Sequence, residues 1–88
     1  MITAEEAYAK VKGTEAKGMY IDGIGETQEY FMFFIMPEGG GPDIQVFDIP
    51  AVNKKTGEIF KIDFFDWCDE VEKGNTRTID IKDLGEQA

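Results

Sequence analysis

The side chains in this sequence best suited to chemistry are carboxylates. Asp63, Asp66, Asp69, Glu70 and Glu72 crowd around Trp67, the only tryptophan. Two carboxylates about 5–10 Å apart across a cleft can act as acid and base on a glycoside. Several carboxylate oxygens converging on one point can hold a hard cation. No motif marks either chemistry here. There is no Asp-x-Asp-x-Asp-Gly run, and a chain of 88 residues with 18 acids yields such pairs readily while leaving little material to wall a cleft. Other reactive groups are missing. Without histidine or serine, Ser-His-Asp and Cys-His catalysis cannot be assembled within the chain. Cys68, the only cysteine, makes neither an internal disulfide nor a Cys/His zinc site. With acids on both sides and no basic neighbour, it reads as a small apolar residue, not a reactive thiol. Gly39-Gly40-Gly41 lacks the lysine and hydroxyl residue of a phosphate loop. The chain is therefore read as non-enzymatic, with no cofactor and no metal.

The same cluster suits recognition better. Trp67 lies beside Phe64 and Phe65 and is ringed by acids, the composition of an interface anchor inside a charged rim. The partner-binding set expected on this reading is Asp63, Asp66, Trp67, Asp69, Glu70 and Glu72. A competing reading stands beside it: Trp67 plugs the core under a short helix, and the acids form a solvated face.

Charge favours a basic partner. Lysine and arginine number 9 against 18 acids, a net charge of -9. No base occurs from Gly18 to Asn53, whereas Asp22, Glu26, Glu29, Glu38, Asp43 and Asp48 do. Such a surface speeds association with a cationic protein and suppresses wrong partners. It argues against nucleic acid, whose phosphates need a basic footprint. No apolar run approaches the roughly 20 residues of a membrane span, and the acidic N-terminus is unlike a signal peptide. The expectation is a cytoplasmic protein of one domain, residues 1–88, that binds no membrane.

The elements that must position these residues can be traced along the chain. Thr3 and Glu6 have capping-box spacing, and Ala7, Tyr8 and Val11 share one face, so a helix is expected over residues 4–12, stopped by Gly13. Met19 to Ile24 alternates weakly and runs into Gly23-Ile24-Gly25-Glu26, a turn composition. Tyr30 to Met36 is apolar on both faces and predicts a central strand. Residues 37–43 read as a loop. A further strand is expected over Ile44 to Val52, with Pro50 demanding an edge or a bulge. Asn53 to Gly57 is a hairpin turn. Glu58 to Phe65 alternates as a strand. Asp66 looks like the N-cap of a short helix, Trp67 to Lys73, with Gly74 as its stop. Arg77 to Leu84 is either a last short strand or an extended tail. The architecture expected is α+β: an N-terminal helix on one face of a four-stranded antiparallel meander, then a short C-terminal helix and tail. The other sheet face would be partly open, with Phe31, Phe33, Ile35 and Phe65 as candidates for it.

The run Ala51-Val52-Asn53-Lys54-Lys55-Thr56-Gly57-Glu58-Ile59 resembles a hairpin of small bacterial domains, among them PepSY-like domains and NTF2-like immunity proteins. The helix start Ile2 to Ala7 and the aromatic strand Tyr30 to Ile35 are similar to theirs as well. The resemblance implies a cystatin-like or half-NTF2-like sheet wrapped on a helix. It implies an acidic immunity protein that neutralises a cognate basic toxin by occluding its active site. A PepSY-like inhibitory or regulatory module of a peptidase is the first alternative, and a hard-cation-binding domain the second.

Overall fold

Thr3 opens the first helix, α1 (Ala4–Val11). Its hydroxyl accepts the Glu6 N–H at 3.2 Å, while the Glu6 carboxylate accepts the Thr3 N–H at 3.0 Å. Both are donors that no helical carbonyl can reach. Just past the C-cap, Gly13 turns the chain away at a φ of 92°. Eight residues are too few for a helix to persist alone in water, so α1 depends on burying Ala7 and Val11 against a sheet. In this computed structural model the residues described are 1–14, 18–39 and 48–84.

The strands are β1 (Met19–Glu26), β2 (Tyr30–Pro37), β3 (Ile49–Asn53), β4 (Ile59–Ile62) and β5 (Arg77–Ile79). A second helix, α2 (Phe64–Glu72), connects β4 to β5, and a 3₁₀ turn spans Ile81–Asp83. The strands form one open sheet in the order β4-β3-β2-β1-β5, with every neighbouring pair antiparallel. The class is thus α+β, with β1 to β4 as a four-stranded antiparallel meander in a sheet of five strands. The fifth is β5, which returns to pair with β1 at the far edge.

The second face, expected to be partly open, is covered in part by α2. Tyr20, paired with Met36 on that face, stays 42% exposed, and the residues expected there lie elsewhere. Strand side chains alternate between faces, and β2 uses both. Phe31, Phe33 and Ile35 are buried with Ala7 and Val11 of α1 and with Ile24 and Val52. Met32 is buried on the other face with Ile49, Ala51 and Trp67 of α2, and Phe34, Phe60, Ile62 and Phe64 pack around them. Phe31, Phe33 and Ile35 are therefore core residues under α1. Each large apolar side chain fully buried in this way contributes about 1.5–3 kcal/mol.

Local irregularities serve that two-sided packing. The β1–β2 register slips between Ile21 and Gly23. The extra residue, Asp22, lets Ile21 and Ile24 both reach the α1 side. Gly23 to Glu26, whose composition suggested a turn, continue β1 as strand. The turn lies one step later, where the Thr27 hydroxyl accepts the N–H groups of Glu29 and Tyr30, each at 3.1 Å. Glycine is needed at Gly25 for a different reason: a Cβ there would lie 2.6 Å from Cη2 of Trp67 and 2.9 Å from the Met32 sulfur. Pro50 sits beyond the last β2–β3 pair, Met32 with Ala51, so β3 has only β4 beside it there. The turn after β3 is as expected: Asn53 Oδ1 accepts the N–H groups of Lys55 and Thr56, and Gly57 takes a φ of 76°. The first part of the expected 44–52 strand and most of the 37–43 loop lie outside the described residues.

Candidate functional site

The acidic segment belongs to a helix that starts earlier than its spacing suggested. Asp63, not Asp66, is the N-cap of α2. Asp66 stands three residues on, and its Oδ2 accepts the Asp63 N–H at 3.0 Å. The Asp66 N–H in turn donates to the Asp63 carbonyl at 3.0 Å. A carboxylate in the first turn also meets the positive end of the helix dipole. Phe64 and Phe65, expected to extend the last long strand, are helical instead.

With about 100° between successive residues, α2 sorts the expected partner-binding residues into three groups. Trp67 points inward. It is 6% exposed, and its ring meets the Phe34 ring edge-on at 5.7 Å between centroids. It is a core side chain, so it cannot be the surface anchor of an interface while the helix is docked. Asp66 and Glu70 lie on a flank directed at Tyr30. Burial raises the Tyr30 hydroxyl pKa, and the charges of Glu70, Asp66 and Glu29 raise it further. Asp69 and Glu72 lie on the outward side with Phe65, which is 62% exposed. Asp63 is exposed at the helix start.

Little within the molecule neutralises this helix. Among the described residues, the only ion pair to the group joins Lys73 Nζ to Glu70 Oε2 at 3.4 Å, and that lysine is largely exposed. Asp66, Asp69 and Glu72 have no cationic partner among the described residues. Cys68 is a half-buried free thiol on the same helix. No group of three or more His, Cys, Asp or Glu side chains among the described residues is placed to hold a metal ion. No helix among them is long and apolar enough to cross a membrane.

Two features escaped the sequence reading. One is Phe65 as the exposed aromatic of the acidic helix. The other is a charge cluster at the C-terminal end of β1. Glu26 receives Lys54 Nζ on Oε2 at 2.6 Å and Arg77 Nη2 on Oε1 at 2.8 Å, with Arg77 Nε on the same oxygen at 3.1 Å. The Lys54 side chain is only 12% exposed, and its ammonium lies 4.8 Å from the centroid of the Phe31 ring, a favourable cation–π placement. Burial raises the Glu26 pKa, but hydrogen bonds and charge from Lys54 and Arg77 outweigh it, and the net shift is downward. The three residues are 28 and 51 positions apart, so no local pattern could have joined them. Nothing in the sequence distinguishes Glu26 from the neighbouring acids Asp22 and Glu29.

Comparison with known proteins adds no kinship: no protein family, no curated protein and no solved structure matches this chain with significance.

Proposed function

We propose that this chain is a non-catalytic binding protein whose acidic second helix engages a basic protein partner. One observation carries the reading. The outward side of α2 presents Phe65, 62% exposed, beside Asp69 and Glu72, neither of which has a cationic partner among the described residues. An exposed aromatic inside an unneutralised acidic rim matches a partner with an apolar socket edged by lysine and arginine. Asp63, Asp66 and Glu70 extend the rim. Trp67 supports it from below by fixing the helix to the sheet.

The finer form of the proposal is an inhibitor of the immunity kind, acting on a basic toxin. Its carboxylates would stand in for the phosphates of the toxin's substrate and occlude the cleft stoichiometrically. The net charge of -9 supports this form, as do the sequence's lack of histidine and serine and the hairpin resemblance. Affinity capture from the source cell tests it. The wild-type chain is expected to retain one basic protein in equimolar amount, and Asp69→Lys/Glu72→Lys is expected to lose it. Retention of the same protein by both chains would move the binding surface off α2.

A further inference from the structure

Residues 77–84 are attached to the sheet along a single strand edge. β5 is three residues long, sits at the sheet edge and pairs only with β1, through Ile24–Ile79, Gly25–Thr78 and Glu26–Arg77. It is entered through exposed Gly74 and Asn75, with Gly74 at a φ of 74°. Beyond it, Asp80 accepts the Lys82 N–H at 2.9 Å to start the 3₁₀ turn. Leu84, 5% exposed, then drops into the α1 core beside Ala7 and Val11. Ile79 and Ile81 pack half-buried against the same cluster. The segment is thus held by a few backbone pairs at one end, by two half-buried isoleucines, and by one buried leucine at the other end. Segments with so few fixed contacts open independently of global unfolding.

We infer that residues 77–84 form a strap that opens as a unit and is latched shut by the Glu26–Arg77 ion pair. The pair sits at the strap's first residue and ties it to the end of the strand it covers. Arg77 approaches one carboxylate oxygen with two nitrogens, while Lys54 occupies the other oxygen and keeps the carboxylate aimed. The cleft beside the pair is lined also by Glu5 of α1 and by Met1. Two cations thus hold the Glu26 carboxylate, and a second carboxylate, Glu5, lines the same cleft. Because the Arg77 side chain is 73% exposed, salt screens its half of the latch far more than the buried Lys54 half. Opening bares the backbone edge of β1 from Ile24 to Glu26 and the apolar floor under Leu84. An uncovered strand edge can take up another strand.

Amide hydrogen exchange on the full chain, read residue by residue by NMR, tests the inference. Arg77→Gln is expected to speed exchange of the strap amides about two- to fivefold, as for the loss of one largely exposed pair, and to leave Phe31 to Ile35 unchanged. Raising sodium chloride from 0.02 M to 0.5 M should speed the wild-type strap similarly and leave the Arg77→Gln strap unaffected. Glu26→Gln, which removes the shared acceptor, should produce at least the Arg77→Gln effect. Strap amides that exchange in step with Phe31 to Ile35 in every sample would overturn the separate opening. A strap indifferent to Arg77→Gln and to salt would overturn the latch.

Discussion

The two charged regions of this molecule differ in what satisfies them. At the end of β1, one carboxylate takes two cations, one of them largely buried under an aromatic ring. On α2, carboxylates outnumber cations, and the outward ones have no cationic partner among the described residues. The first arrangement spends its charge on joining β1, β5 and the turn after β3. The second leaves its charge available to another molecule. In a chain of net charge -9, an acid's role is therefore set less by its place in an acidic run than by the cation the fold brings to it. Glu26 sits among acids in the sequence and is structural, whereas Asp69 and Glu72 have no cationic partner among the described residues.

The difference can be broken most forcefully from inside α2. Trp67→Ala removes the side chain that docks the acidic helix, and truncating a buried tryptophan costs about 3–5 kcal/mol. Urea unfolding should show a loss of that size, which is much of the stability of a small domain. A loss under 1 kcal/mol would mean that the ring is not the anchor of the helix.

Glu26→Gln comes next. It leaves the Lys54 ammonium, 12% exposed, without its carboxylate. Charge-assisted hydrogen bonds lost in this way cost about 1.5–3 kcal/mol. A midpoint in urea indistinguishable from wild type would show the cluster to be ornamental.

Acid sharpens the same point. The folded Glu26 carboxyl titrates below its ordinary range, so the stability it supplies is complete above that range and drains away as pH falls through the lowered folded value. The gap between wild type and Glu26→Gln should narrow steadily below the ordinary glutamate range. A gap that widened on acidification would reverse the assigned direction.

The smallest effect is expected on the outward side of α2. Asp69→Ala and Glu72→Ala should each change stability by less than about 0.5 kcal/mol, as surface substitutions without partners do. A clear loss in either would place that carboxylate with Glu26, among the structural charges.

Much of this layout was legible in the sequence. Thr3 and Glu6 announced α1, Tyr30 to Met36 the central strand, and Asn53 to Gly57 the turn, because each signal is carried by neighbouring residues. The errors came where distant residues decide. Asp63-x-x-Asp66 and Asp66-x-x-Asp69 offer the same capping spacing. The packing of Phe64 and Trp67 on β2 and β3 chose the first, turning a presumed strand end into the first turn of a helix. Gly25 looked like a turn residue because the ring that requires it lies 42 positions later, at Trp67. Three residues of β5 mean nothing without the β1 edge beside them. The acidic segment was legible as a run of carboxylates, but which of its aromatics faces outward was not. Trp67 and Phe65 are equally plausible anchors by composition, and only the helical phase sends one inward and the other outward.

The outward acidic face of α2, with Phe65 at its middle, is the proposed binding surface for a basic protein. It is tested most directly by stopped-flow association with the protein captured on the wild-type chain, measured from 0.01 M to 0.15 M salt, where the screening length falls from about 30 Å to about 8 Å. The wild-type rate constant is expected to fall at least about tenfold across that range while dissociation changes far less. Asp69→Lys/Glu72→Lys should associate slowly at every salt concentration, and Phe65→Ala should dissociate faster with its association rate preserved. Equal, salt-independent association of all three chains would contradict the claim.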